Sequence, residues 1–151
     1  MELIGTVFQG SGKYGDFGWM IEQPEFNDSL FIFNDNEEQF LAHLNDPESS
    51  IGCSPGGGNA VIRPYQCQNP PRASGIPTGS KGIGYTQLTH DSAIIIDRSI
   101  EVIDSLLSTE LYYQVFYSSI HENGPLGTGT FKVCDDIRAY ILKQLRMLMY
   151  E

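Results

Sequence analysis

The stretch Ser29-Leu30-Phe31-Ile32-Phe33-Asn34-Asp35-Asn36 decides the fold. Four consecutive large apolar residues without polar alternation suit a short strand buried on both faces, as in a sheet covered by helices. The run passes directly into Asn34, Asp35 and Asn36, and then into a segment, 37–44, whose first residues Glu37 and Glu38 are acidic, as a helix start prefers. In open α/β sheets ligands bind outside the carboxyl ends of strands. Asn34, Asp35 and Asn36 therefore stand where a ligand would be gripped. Capping of the helix is an equally good use for one of them, and the two roles can be divided among the three.

Working outward, residues 2–9 are β-branched and aromatic and predict a strand. Residues 17–22 predict a short strand or one helical turn, with Trp19, the only Trp, as a core residue. Downstream, Ile96, Ile100, Ile103 and Leu107 recur at i, i+4, i+7 and i+11 and predict a helix over 92–107 capped by Thr89 or Asp91. Residues 112–118 predict a buried strand. Ile137, Ile141, Leu145 and Leu148 predict a last helix over 136–149, capped by Asp135 or Asp136. The alternation predicts one α/β domain over 1–151, a mixed sheet flanked by helices in a Rossmann-like layered architecture. The early strands, joined by short loops, are expected to pair antiparallel on one side. Residues 72–85, with Gly75, Pro77, Gly79, Gly82 and Gly84, are expected to be irregular, and a disordered lid is the alternative.

Composition narrows the function classes. With 151 residues and 40% hydrophobic content the chain is an ordinary globular domain. A formal charge of −10 disfavours a phosphate-backbone binder, so no nucleic acid partner is expected. An acidic surface also keeps a chain in solution. Apolar runs fall far short of a membrane span, and no basic-then-apolar leader pattern is present, so no membrane partner and a cytoplasmic location are expected. Cys53, Cys67 and Cys134 are odd in number and form no C-x-x-C pair, which predicts reduced thiols. No His stands at ligand spacing from Cys53 and Cys67, so neither a zinc site nor any other metal or cofactor is expected.

The candidate binding residues lie in glycine-rich stretches. Gly56, Gly57 and Gly58 let backbone N–H groups come close to whatever lies above them, Asn59 follows at once, and Arg63 adds a guanidinium, a set suited to a phosphorylated or carboxylated ligand. A tight surface turn is the plainer use of the same residues. Thr78 and the stretch Gly127-Thr128-Gly129-Thr130-Phe131 extend the set. No G-x-S-x-G elbow and no Walker A loop occurs. His121, after the strand 112–118 and near the second glycine loop, is the best general acid or base, with Asp35 and Asn59 as further catalytic candidates.

A strand ending in Asn/Asp, then Gly-Gly-Gly beside an Asn, then a late strand followed by Gly-Thr-Gly-Thr-Phe before a terminal helix resembles the order of motifs in macro domains. That resemblance implies ADP-ribose binding on a sheet flanked by helices. It would place Asp35 at the adenine, residues 56–59 at the distal ribose and residues 127–131 at the diphosphate. The Asn follows the glycines here, whereas in the family it precedes them. The motifs Phe-Asn-Asp-Asn, Gly-Gly-Gly-Asn-Ala and Gly-Thr-Gly-Thr-Phe are also similar to those of small bacterial and phage proteins, a likeness that implies no function. Three readings follow in order: a module binding ADP-ribose or a related NAD-derived or adenine nucleotide, with sequestration of such a signal as one use; a hydrolase of such a nucleotide or of ADP-ribosyl groups; and an acidic protein-interaction or inhibitor domain. A protein partner or homo-oligomer stays open in each.

Overall fold

Four parallel strands form the centre of the molecule, and their order is set by which segments can be buried on both faces. The structure is a computed structural model that describes residues 1–129 and 131–150. The strands are β1 (Glu2–Thr6), β2 (Ser29–Asp35), β3 (Ala73–Pro77) and, late in the chain, Gln114–Ser118. A two-stranded antiparallel hairpin, β4 (Gly79–Ser80) with β5 (Ile83–Gly84), makes the late strand β6. The order across the sheet is β1-β6-β2-β3, with every pair parallel. The expected antiparallel pairing of early strands is thus corrected. β6 enters between β1 and β2, because Val115, Phe116 and Tyr117 are apolar enough for a central place.

Alternation within β2 separates two cores. Leu30 and Ile32 join an aliphatic cluster with Val115, Ile76, Ile96, Ile103, Ile137, Ile141 and Leu145. Phe31 and Phe33 point to the other face and join Phe17, Met20, Phe26, Ile62 and Phe116. The first cluster is closed by α4 (His90–Leu107) and α5 (Asp135–Leu148). The second is closed by the short helix α1 (Phe17–Met20), the 3₁₀ turn Pro24–Phe26 and the 3₁₀ segment Gly58–Cys67. Phe31 and Phe116 stack with centroids 5.1 Å apart, and Phe17 meets Phe31 edge-on at 5.2 Å. Helices α2 (Glu37–Asn45) and α3 (Ser50–Cys53) pack together, and α2 also rests beside the edge strand β3.

Local signals start the helices. Asn36 caps α2 by accepting from the Gln39 amide, and Thr89 and Ser92 form a reciprocal capping box on α4. Asp135 and Asp136 lie in the first turn of α5 while Cys134 takes the cap position without a side-chain bond, so neither Asp is the cap. Pro64 does not end the segment that holds it. It sits inside a run of 3₁₀ turns. Among the described residues, no helix is long and apolar enough to cross a membrane.

The larger correction concerns residues 72–85, which hold β3 and the hairpin instead of an irregular lid. Ala-Ser-Gly-Ile-Pro has poor strand propensity, but all five residues are buried against β2. Gly75 pairs with Phe33, and a Cβ there would stand 2.9 Å from the Phe33 ring and 2.8 Å from Asp35 Oδ2. Both neighbours are buried and fixed, so this glycine answers to close approach. Gly75→Ala is expected to destabilise the fold by about 1–3 kcal/mol through overpacking, measured as a lower urea midpoint with an unchanged slope.

Candidate functional site

Residues leaving the carboxyl ends of the four strands build the site. The connection after β2 runs through the 3₁₀ segment on the phenylalanine face, while the chain after β6 runs to α5 on the aliphatic face. Connections from two neighbouring strands that depart to opposite faces leave a crevice between them, the usual ligand position in open α/β sheets. Asn34 spans that crevice. Its Nδ2 donates to the Gly127 carbonyl at 2.7 Å, tying the end of β2 to the loop after β6.

Asp35 faces the other way and is closed off. Its side chain is fully buried, and Oδ1 accepts from Arg63 Nε at 3.1 Å, Arg63 Nη2 at 2.8 Å and the Asn36 amide at 2.8 Å. Arg63, 3% exposed, also donates from Nη1 to the Ser54 carbonyl at 2.9 Å. Burial pushes the Asp35 pKa up, and the Arg63 charge and hydrogen bonds pull against it. Gly56 exists to admit Arg63, since a Cβ there would lie 2.7 Å from Nη1. Thr78 anchors to the same strand end, its amide and hydroxyl both donating to the Asp35 carbonyl.

The predicted residues therefore fall into two groups: Asn34 with Gly127, and Asp35 with Arg63, Gly56 and Thr78. Asn36 is the helix cap. The Asn59 side-chain oxygen accepts from the Phe17 amide at 3.1 Å and so serves the start of α1. Above Gly57, Gly58 and Gly129 the space is open, and Gly58 and Gly129 take φ of 57° and 63°, which favour glycine. Thr128 Oγ1 donates to the Phe131 carbonyl, and Phe131 itself is exposed. Thr130 lies outside the described residues. His121 is exposed and folds over Gly124 of its own loop, and it joins neither group.

The distribution of unpartnered polar atoms is more telling. Among the described residues, the buried side-chain atoms lacking a hydrogen-bond partner are Thr6 Oγ1, Asp35 Oδ2, Tyr85 OH, Ser119 Oγ and Arg138 Nε. Thr6 and Asp35 end β1 and β2, and Ser119 follows β6. The Tyr85 amide donates to the Thr78 carbonyl, and Arg138 Nη1 reaches the Leu126 carbonyl, so both belong to segments leaving this same end. Buried polar groups are normally paired, and here the exceptions share one end of the sheet. Tyr85, whose pKa burial raises, also lines an open depression of about 410 Å³ with Glu37, Thr86, Gln87, Thr89, Asp91 and Ser92. Sequence reasoning missed Thr6, Tyr85 and Ser119. Hydroxyls carry no motif, and only strand order brings these three to one end.

The cysteine reading is corrected as well. Cys53 and Cys67 form a disulfide, and Cys134 is free. His43 of α2 lies beside them, with Nδ1 3.7 Å from Cys67 Sγ. The separations in sequence, 14 between the cysteines and 24 from His43 to Cys67, hide this grouping. It forms because α2, α3 and the 3₁₀ segment pack on one another.

Comparison of the chain with protein-family models, curated proteins and solved structures returns no match. The macro-domain resemblance thus stands on motif order alone.

Removing one partner of the buried pair leaves the other charge uncompensated. Arg63→Met is expected to lose about 3–5 kcal/mol of stability near neutral pH. Without Arg63 the folded-state pKa of Asp35 rises further above its unfolded value. The loss should therefore be smallest at acid pH, where Asp35 is protonated in both proteins, grow as pH rises from the parent's folded pKa to the variant's higher one, and level off above it. Urea denaturation across the acid-to-neutral range checks both magnitude and sign.

Proposed function

We propose that this chain is a binding protein for ADP-ribose or a related adenine nucleotide, held at the carboxyl end of the parallel sheet. The observation that carries the reading is the gathering of unpartnered buried polar atoms at that end. A ligand rich in hydroxyl, ring-nitrogen and phosphate groups would supply partners to Ser119, Tyr85 and Arg138 among them, Asp35 being closed off by Arg63. The loop at 127–129 supports a phosphate position, because Gly129 is open above and Asn34 fixes the loop from β2. Exposed Phe131 supports stacking of a base. Glu37 and Asp91, in the neighbouring depression, suit ribose hydroxyls as acceptors.

Binding without turnover is the favoured form. Asp35 is paired with Arg63, Asn59 is engaged with α1, and His121 is exposed on a separate loop, so the three catalytic candidates do not converge.

A thermal-shift panel of ADP-ribose, NAD, cyclic nucleotides and inorganic phosphate tests the reading. A ligand at 100 times its dissociation constant adds about 2.7 kcal/mol. Ser119→Ala removes an unsatisfied hydroxyl, so it is expected to leave the bare protein as stable or more stable while reducing the ligand-induced shift. Absence of a shift from every adenine nucleotide in the panel would overturn the proposal.

A further inference from the structure

A second constellation lies apart from the sheet's carboxyl end. His43, Cys53 and Cys67 each offer one ligand atom, and these atoms all lie within 4.8 Å of one another. Each comes from a different element: His43 from α2, Cys53 from the last residue of α3, and Cys67 from the last residue of the 3₁₀ segment. Helix packing fixes their approach, since Gly52 rests against the His43 backbone, where a Cβ would stand 2.7 Å from His43 Cα. Gln66 Nε2 donates to the Gly52 carbonyl at 2.7 Å and holds the third element to the second.

We propose that reduction of the Cys53–Cys67 disulfide turns this cluster into a binding site for a zinc-type divalent cation, with two thiolates and the His43 imidazole as ligands. Zinc bonds of about 2.3 Å to sulfur and 2.0–2.1 Å to nitrogen give tetrahedral edges of about 3.6–3.8 Å. The observed 3.7 Å between His43 Nδ1 and Cys67 Sγ already matches such an edge. All three ligand atoms already lie within 4.8 Å of one another, and the two sulfurs, bonded here, must move apart. Both close short elements, and the residues after Cys67 are exposed, so the backbone there is not held in a core.

The chemistry balances as follows. A dithiol reductant delivers two electrons and two protons, the S–S bond breaks, two thiols form, and the reductant becomes a disulfide. The cation then displaces both thiol protons to solvent and takes the imidazole nitrogen lone pair. Cys67 is exposed and Cys53 and His43 are half-buried, which leaves access for the reductant and a fourth position for water. Reduction thus exchanges one covalent tie between α3 and the 3₁₀ segment for a cation tie that also includes α2. The site rests on none of the residues assigned to the nucleotide, so either proposal can fail alone.

The test uses the full chain, reduced with a phosphine and titrated with Zn²⁺ against a chromophoric chelator, and with Co²⁺ as a spectroscopic probe. The expected result is one tightly bound equivalent in the reduced protein, thiolate-to-cobalt charge transfer with tetrahedral ligand-field bands, and much weaker binding in the oxidised protein. His43→Ala is expected to weaken binding by at least the roughly 10–100-fold seen when even an outer hydrogen-bonding partner is lost. Cys67→Ser, at an exposed position, should do the same, and Cys134→Ser should change nothing. Circular dichroism confirms that each variant is folded. The proposal is overturned if the reduced protein takes up no cation, if oxidised and reduced forms bind alike, or if folded His43→Ala binds as tightly as the parent.

Discussion

The buried ion pair between Asp35 and Arg63 is the constraint around which the rest is arranged. A carboxylate and a guanidinium removed from water cost several kcal/mol each unless their geometry is close and their other groups are satisfied. The chain meets that demand at the guanidinium and at Asp35 Oδ1, while Oδ2 is left without a partner. Arg63 gives two donors to one carboxylate oxygen and a third to the Ser54 carbonyl, and Asn36 adds its amide. Gly56 and Gly75 are shaped by the same pair, one leaving room for the guanidinium and the other for the carboxylate. Through Ser54 the pair reaches the disulfide region, and through the Asp35 carbonyl it holds Thr78 and the turn into the hairpin. One interaction thus ties together β2, β3 and the 3₁₀ segment.

That tie explains the division of labour at the carboxyl end. The phenylalanine face is sealed by the ion pair and the 3₁₀ segment. The aliphatic face carries the loop after β6, which Asn34 ties at the Gly127 carbonyl, Arg138 at the Leu126 carbonyl and Tyr117 at the Gly124 carbonyl. Unsatisfied hydroxyls beside a glycine loop with open space above Gly129 suit a binding site more than a structural seam. The cysteine–histidine cluster sits where α2, α3 and the 3₁₀ segment pack together, and the 3₁₀ segment also carries Arg63. The two proposed sites therefore share a structural partner but no ligand residues.

Much of the fold was legible in the sequence, and the reasons differ by element. β2 was legible because four apolar residues in a row need two covered faces. α4 and α5 were legible because their apolar positions repeat at helical spacing. β3 was hidden, because Gly75 and Pro77 answer to neighbours contributed by β2, which a local pattern cannot contain. The place of β6 between β1 and β2 was hidden for a similar reason, since strand order lies in long-range pairing. Asn34 and Gly127 were found as separate candidates, and their contact came only with the sheet. Asp35 and Arg63 were also found, but as ligand-facing groups, whereas the structure shows each as the other's partner. Thr6, Tyr85 and Ser119 left no mark, because a lone hydroxyl is informative only once its burial is known. The His43–Cys53–Cys67 grouping escaped a reading based on spacing because three packed elements, and no short motif, assemble it.

The central claim is that the carboxyl end of the parallel sheet receives the ligand. Titration of the isotopically labelled chain with ADP-ribose, followed through backbone amide resonances, tests it most directly. The account predicts progressive, saturable shifts at residues 34–36, 78, 85, 119 and 127–129, with those of 43, 53 and 67 unmoved. Shifts confined to another surface, or an unchanged spectrum at millimolar ADP-ribose, would contradict it.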